Sequence, residues 1–307
     1  MAVGFVLAAA FFAAFANFFF RKNIEKGGAS SAFLSLYFII SLSVALLLTP
    51  ELSHAKFSVL MCSLGCIAGL LNFLMMSLTA RSLELGPPGL TFTFQNASSL
   101  IPGLLLFFLF GTSFGFLMTP GLIAGFILIV LGLYFSARAF EKGDEKAHAK
   151  FWKWLIFALA MLSVQGIILS IFQWRVLFFS CPVDEPHWLL PWSCHPDEDV
   201  WFMPAFFLLP ALLQFLLFWR NEKRKFTSSE WVCGSSAGAL NCLAMLFLLL
   251  ATKTEGDLNK GMLFPLFTVS VILFCNLWGR KIYREKVNWT GITLCLIGVA
   301  VGMIFSF

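Results

Sequence analysis

The sequence predicts an all-helical integral membrane protein whose ten transmembrane helices form two inverted repeats of five. Three observations lead to this prediction: the composition, the spacing of the apolar segments, and an internal repeat between the two halves of the chain. Of 307 residues, 59% are hydrophobic and only 12% are charged. A soluble domain carries about twice that charged fraction. Most of the chain is therefore expected to be solvated by lipid.

Ten apolar segments are long enough to cross a bilayer, since a spanning helix needs about 20 mainly apolar residues. Backbone polar groups must be bonded inside lipid, so each segment is expected to be a helix. The N-terminal segment has no basic residue before it and is predicted to be a span rather than a signal peptide. The predicted spans are 2–20, 31–49, 57–80, 88–110, 119–137, 152–178, 200–219, 231–251, 261–279 and 289–307.

The basic residues lie almost entirely in alternate connections between the predicted spans. The odd-numbered connections hold 17 of the 21 Lys and Arg residues, and the even-numbered ones hold three. Because basic residues in short loops favour the cytoplasmic side, the odd connections are predicted to be cytoplasmic and both termini extracytoplasmic. The expected location is the plasma membrane, here a bacterial inner membrane.

The two halves of the chain repeat short segments in the same order. GLLNFL from Gly69 is matched by GALNCL from Gly238, and the segment from Gly121 is matched by the one from Gly291. Five spans is an odd number, so the second half is inverted relative to the first. Secondary transporters often have this architecture, with the substrate site between the halves. The predicted repeats are 1–140 and 151–307, joined by a charged cytoplasmic linker at 141–150.

The C-terminal segment LWGRKIYREKVNWTGITLCLIGVAVGMI resembles the end of each repeat in EamA-type transporters of the drug/metabolite transporter superfamily. Glu285 falls at the turn glutamate of that pattern, whereas the first half has Gly115 there. The rest of the pattern is carried by Gly291, Ile297, Gly298 and Val299. The resemblance implies ten helices in two inverted repeats and transport of a small organic solute, such as an amino acid or another metabolite.

Polar side chains within spans are the candidates for a substrate site, because they are costly in lipid and often mark a pathway. The alternative for each is a hydrogen bond that clamps neighbouring helices. Pro102 and Pro265 are predicted to kink spans four and nine, as gating elements require. The candidate substrate-binding residues are Asn72, Thr91, Gln95, Asn96, Ser99, Gln165, Trp174, Arg175, Asn241, Thr268 and Asn276.

Arg175 is the one basic residue that no predicted loop contains, and two explanations are open for it. Its position along span six predicts a place near the outer interface, where a long basic side chain can snorkel to water. Alternatively, it binds a carboxylate or phosphate of the solute, with Trp174 stacking beside it.

The loop at 180–199 between spans six and seven is acidic and predicted to be extracytoplasmic. It holds Cys181 and Cys194, the only cysteines outside the predicted spans. Three states of these two cysteines are open. An oxidising exterior favours a disulfide, both thiols can be free, or His187 and His195 complete a zinc site whose spacing matches no standard pattern.

Several classes of function are not expected, because the motifs typical of them are absent from the sequence. No nucleophile–base motif, phosphate-binding loop or metal motif occurs, so no enzyme activity, cofactor or metal is expected. Membrane orientation accounts for the basic loops, and no nucleic-acid binding is predicted. No carboxylate or histidine lies deep in a span, which favours facilitated diffusion or exchange over proton coupling.

The predicted function is a secondary transporter, a facilitator or exchanger working by alternating access. Its expected solute is a small polar or amphipathic metabolite, amino-acid-like or a cationic cofactor such as S-adenosylmethionine. The alternative is a non-transporting scaffold or receptor with the same fold. The expected partners are the solute and the lipid bilayer, and the chain is expected to be a monomer or a weak homodimer.

Overall fold

The computed structural model describes residues 1–86, 88–114, 116, 118–138, 145–180, 188–190, 194–254, 263–283 and 289–304. Within these ranges the secondary structure is helical and contains no β-strand. The eleven α-helices found there are α1 (Ala2–Glu25), α2 (Ser30–Leu48), α3 (Val59–Leu85), α4 (Pro88–Ala97), α5 (Leu100–Phe110), α6 (Pro120–Arg138), α7 (Glu145–Ser180), α8 (Phe202–Glu222), α9 (Ser228–Lys253), α10 (Leu263–Tyr283) and α11 (Trp289–Ile304). Short 3₁₀ turns lie at Pro50–Ser53, Thr112–Phe114 and Pro196–Trp201.

Seven helical segments in the described ranges are long and apolar enough to cross a membrane, which confirms a multi-pass helical membrane protein. They are Ala2–Glu25, Ser30–Leu48, Val59–Leu85, Phe151–Phe179, Pro196–Glu222, Ser228–Lys253 and Leu263–Ile282. Predicted spans four, five and ten correspond instead to shorter apolar helices, Ile101–Phe110, Pro120–Gly132 and Trp289–Gly302. The count of ten spans therefore stays a prediction.

Two predicted boundaries differ from the structure. Predicted span four, 88–110, is not one helix, because α4 ends at Ala97 and α5 begins at Leu100. In addition, α7 begins at Glu145, so the second part of the predicted linker at 141–150 is helical. Glu285 and Gly115, on which the family pattern depends, lie outside the described residues.

The starts of α3 and α9 are capped in the same way at equivalent positions. Thr227 accepts a hydrogen bond from the backbone N–H of Glu230 at 3.3 Å, and the Glu230 carboxylate accepts one from the Thr227 N–H at 2.8 Å. In the first half, Ser58 accepts from the N–H of Met61 at 3.4 Å. These bonds satisfy donors that the first turn of a helix leaves free. Ser58 and Thr227 are separated by the same offset as Gly69 and Gly238, so the caps belong to the repeat.

Close backbone contacts also recur at the offset of the repeat. The α3 residue Gly69 lies so near the Phe206 carbonyl of α8 that a Cβ would overlap it. The α9 residue Gly238 lies in the same way against the Tyr37 carbonyl of α2. Tyr37 and Phe206 are separated by the same offset as the two glycines, and only glycine permits such an approach. A second such set pairs Gly65 with Phe202 and Gly234 with Phe33.

Helices of one half pack against helices of the other half, and these pairs correspond to each other by the repeat. α1 packs against α9 and α10, and α7 packs against α3, α4 and α5. α2 packs on α8, and α6 packs on α11. At the α6–α11 contact, Gly125 lies against Gly298 and Gly132 lies against Gly291. The glycine rows of these two helices therefore serve packing within the chain.

Candidate functional site

The candidate site begins at the interruption between α4 and α5. The Ser98 hydroxyl donates to the Gln95 carbonyl at 2.6 Å, and the Ser98 carbonyl accepts from the Ile101 N–H at 3.0 Å. These tight turns replace the regular helical ladder around Ser98 and Ser99. The chain thus bends within an apolar segment, where the turn satisfies its own polar groups.

The two prolines predicted to kink spans lie near the starts of described helices, and their gating role stays a prediction. Pro102 lies in the first turn of α5, and Pro265 lies in the first described turn of α10. The first turn of a helix requires no N–H donor, so Pro102 fits there directly after the interruption at Ser98–Ser99. The Ser98 carbonyl, four residues before Pro102, accepts a hydrogen bond from the Ile101 N–H. The proline inside a described helix is Pro210 of α8, which packs on Gly69 and which the sequence analysis missed.

Three helices converge beside the interruption and form a sulfur- and amide-lined corner. The Gln95 side-chain NH₂ of α4 donates to the Met75 sulfur of α3 at 3.1 Å. The Thr79 hydroxyl of α3 lies 3.0 Å from the Met161 sulfur of α7. Methionine sulfur is polarisable and its unbranched side chain repacks easily. We call this set, with Gln165 and Thr91, the α3–α4–α7 corner.

The Trp154 side chain connects α7 to α4 in this corner. Its indole N–H donates to the Thr91 hydroxyl at 2.9 Å, and both side chains are buried. The Phe94 ring meets the indole edge-on at 5.4 Å, and Gly86 leaves room for it at the end of α3. Thr91 was a predicted binding residue, but its hydroxyl holds two helices together.

Two amide oxygens in the corner have no described hydrogen-bond partner. They are Oε1 of Gln95 and Oε1 of Gln165, and both atoms are buried. Gln165 lies one helical turn beyond Met161 on the same face of α7. The next residue, Gly166, touches Ile101 at the start of α5, which puts Gln165 at the level of the interruption. A buried acceptor without a donor costs free energy, so a bound N–H or O–H group would stabilise the corner.

The other predicted polar residues are distributed over the bundle. Asn72 of α3 and Ser99 are buried next to the corner, and Thr268 is buried on α10, which packs against α4. Asn241 is buried on α9. The Asn276 NH₂ donates to its own helix, at the Ile272 carbonyl, at 2.8 Å. The Asn96 side chain lies outside what the structure describes.

Arg175 matches neither of its two predicted explanations. Its side chain is 1% exposed, so it does not snorkel, and its Nη1 lies 2.9 Å from Oδ1 of Asp199. The Lys253 ammonium binds the same carboxylate at 2.5 Å, and the guanidinium carbon lies 4.8 Å from the centre of the Phe202 ring. The 3₁₀ turn at Pro196–Trp201 folds over the end of α7 and supplies Asp199. Arg175 therefore has an acidic partner within the protein, which it shares with Lys253.

A second ion network lies at the opposite end of the bundle. Arg224 binds the buried Glu230 carboxylate at 2.6 Å and Glu222 at 3.1 Å. Its acidic partners raise the pKa of the Arg224 guanidinium. Glu230 also accepts from the backbone N–H of Ala29 at 2.9 Å, which ties α9 to the start of α2. The capping sequence TSSE is the only sequence signal for this network.

The cysteine prediction falls partly outside the described residues, because Cys181 and His187 are not among them. Cys194 is half-buried, and its backbone N–H donates to the Phe178 carbonyl at 2.9 Å. Burial raises the pKa of the Cys194 thiol. Among the described side chains, no group of three or more His, Cys, Asp and Glu residues is arranged to hold a metal ion. The disulfide stays a prediction.

The helices define the class of the chain, a multi-pass helical membrane protein, and solved structures of similar fold exist. No family model matches the sequence, and no curated protein matches it. The chain is similar to a crystal structure described only as that of a protein, with 16% sequence identity and a TM-score of 0.62. The similarity covers 97% of this chain and 96% of the other. At this identity it shows the fold alone.

Proposed function

We propose that the protein is a secondary transporter, a facilitator or exchanger, and that its solute binds in the α3–α4–α7 corner. The observation that carries this proposal is the helix interruption at Ser98–Ser99 beside the unpartnered amide oxygens of Gln95 and Gln165. Interrupted helices form substrate sites in transporters because their backbone polar groups are tolerated where they line a cavity.

The proposal includes ten spans in two inverted repeats, with cytoplasmic odd connections in a plasma membrane. The glycine and capping contacts that recur at one offset in the two halves support the repeats. Alternating access then follows from movement of one half against the other around the site. Membership of the EamA-type transporters is part of the same proposal, and its support is the C-terminal segment that carries Gly291 and Gly298.

The chemistry of the corner favours a solute with N–H or O–H donors. The amide oxygens accept hydrogen bonds, and the sulfurs of Met75 and Met161 tolerate varied apolar shapes. The corner residues named above carry no charge, so a neutral, zwitterionic or singly cationic solute fits best. Amino acids and cationic cofactors such as S-adenosylmethionine belong to this class.

The test is solute counterflow into proteoliposomes that contain the purified protein. A panel of amino acids, nucleosides and cofactors is compared with empty vesicles, and at least one solute is expected to exchange without any dependence on a pH gradient. Gln95→Leu and Gln165→Leu should each reduce exchange at least about tenfold, the cost of one lost hydrogen bond in an apolar site. Ser163→Ala, an exposed α7 position, is the matched control.

Three outcomes would count against the proposal. Exchange no faster than in empty vesicles for every solute would remove the transport claim. A solute that raises the melting temperature without crossing the membrane would favour a receptor or scaffold instead. If Ser163→Ala lowers exchange as much as Gln95→Leu does, the site does not lie in the α3–α4–α7 corner.

A further inference from the structure

A pocket between α1 and α10 has no role in the proposed solute site. Its volume is about 590 Å³, within the range of about 300–1,000 Å³ that is typical of ligand pockets. The body of the pocket is apolar and largely aromatic, and two cations lie at its rim. The lining residues are Phe11, Phe274, Leu277, Trp278, Arg280 and Lys281.

The two rim cations are at the end of α10 and have no ion pair among the described residues. The guanidinium of Arg280 is held 5.6 Å from the centre of the Trp289 ring, and Lys281 follows it in the chain. Three other arginines at this end of the bundle have acidic partners, namely Glu25 for Arg21, Glu84 for Arg81, and Glu222 with Glu230 for Arg224. The rim of the pocket therefore presents positive charge that the described chain does not neutralise.

Trp278 contributes its side chain to the wall of the pocket. Its indole ring packs on Phe15, with ring centres 4.5 Å apart. Its Nε1 atom is buried and has no described partner. Buried indole N–H groups normally find an acceptor. A ligand with an oxygen acceptor next to an apolar chain would satisfy it.

The corresponding interface in the other half, between α5 and α7, is filled by apolar side chains. Between α5 and α7, Leu106, Phe110 and Leu177 form a packed cluster, against which Leu190 from the loop also packs. The α1–α10 interface has no such packed cluster among the described residues. It is open at the end of the bundle where the basic connections lie. Leu277 and Phe11, on either side of it, are exposed and face the surrounding solvent, which is lipid in a membrane.

We propose that this pocket binds an anionic phospholipid from the leaflet at the basic end of the bundle. One acyl chain lies between α1 and α10, and the phosphate lies at Arg280 and Lys281. An ester or phosphate oxygen accepts the hydrogen bond of Trp278. Basic pockets between membrane helices select anionic head groups in this way. The proposal does not depend on which solute the protein carries.

The first test is native mass spectrometry of the full chain titrated with phosphatidylglycerol or with phosphatidylcholine of the same acyl chains. One phosphatidylglycerol is expected to bind at least about tenfold more tightly, since each basic residue adds about 1 kcal/mol near an anionic head group. The double variant Arg280→Gln/Lys281→Gln should remove that preference. Arg220→Gln/Lys223→Gln at the end of α8 removes the same charge elsewhere and should leave it intact.

The second test locates the acyl chain. Phosphatidylglycerol with brominated acyl chains should quench part of the tryptophan fluorescence at low lipid ratio, and Trp278→Phe should remove that part. Equal binding of the two lipids, or equal loss in both double variants, would overturn the proposal. Binding of glycerophosphoglycerol, which has no acyl chains, as tightly as the lipid would also overturn it, because the apolar body would then play no part.

Discussion

The α3–α4–α7 corner and its counterpart formed by α9, α10 and α1 have related backbones but different chemistry. α3 packs on α7 as α9 packs on α1. The first corner contains methionine sulfurs bonded by Gln95 and Thr79. In the counterpart, which we call the aromatic corner, the contacts between helices are ring pairs: Phe12 stacks on Phe247 at 5.7 Å, and Phe15 meets Trp278 at 4.5 Å.

The residues that hold the helices together therefore differ from the residues that would contact a solute. The glycines and caps that set helix contacts recur in both halves, whereas the side chains that line the corners do not. Aromatic pairs gain their energy from fixed ring geometry, but thioethers and amides adapt to a guest. We therefore expect binding and exchange to respond to substitutions in the α3–α4–α7 corner, and stability to respond to substitutions in both.

The largest expected effect concerns the buried ion pair at the far end of α7. Arg175→Gln leaves Asp199 in the protein interior with Lys253 as its only charged partner among the described residues. Breaking a buried pair costs about 3–5 kcal/mol, so the melting temperature in detergent should fall sharply. Arg224→Gln at the other end should cost less, because Arg224 is 35% exposed and the buried Glu230 carboxylate keeps the N–H donors of Ala29 and Thr227. Equal losses would mean that burial does not distinguish the two networks.

The glycine contacts test whether the two halves are equivalent. Gly69→Ala puts a Cβ onto the Phe206 carbonyl, and Gly238→Ala puts one onto the Tyr37 carbonyl. Overpacking of this kind costs about 1–3 kcal/mol, and similar losses are expected in thermal unfolding of both variants. Gly4→Ala adds the same atom where nothing lies within 4 Å and serves as the control. A loss in only one of the two variants would contradict the equivalence of the halves.

The Trp154–Thr91 bond tests whether α4 must be held against α7. Trp154→Phe and Thr91→Val each remove one partner of the buried bond. Each should lower the free energy of unfolding by about 1–3 kcal/mol, because the remaining polar group is left unsatisfied. The double variant should cost less than the sum of the two, and solute affinity should fall in all three. Additive losses would show that the two groups act independently.

Composition and periodicity predicted the helical membrane class correctly, because a span that is solvated by lipid must be helical and mainly apolar along its length. The repeat also marked equivalent positions at Gly69 and Gly238, and the structure places both at close helix contacts. A kink in span four was predicted from Pro102, but its division into two helices was not. The polar run from Gln95 to Ser99 and Pro102 mark the place, yet neither signal distinguishes one kinked helix from two short helices.

Contacts between distant segments were harder to predict. Arg175 was expected at the interface because its position was counted along a single helix. Its burial depends on Asp199, which a loop turn returns to the end of α7, and sequence spacing does not show that return. The same limit applies to Gln95 and Met75, whose contact requires α4 to fold back on α3.

The smallest expected effect, and the closest control for the α3–α4–α7 corner, concerns the stacked rings of the aromatic corner. Phe12→Leu or Phe247→Leu keeps an apolar side chain and removes the ring pair, which is worth about 0.5–1.5 kcal/mol beyond burial. Thermal unfolding should show that loss, whereas solute counterflow should stay within about twofold of the unmodified protein. A fall in exchange as large as that of Gln95→Leu would mean that both corners contact the solute, and the site would then lie between the halves rather than in one of them.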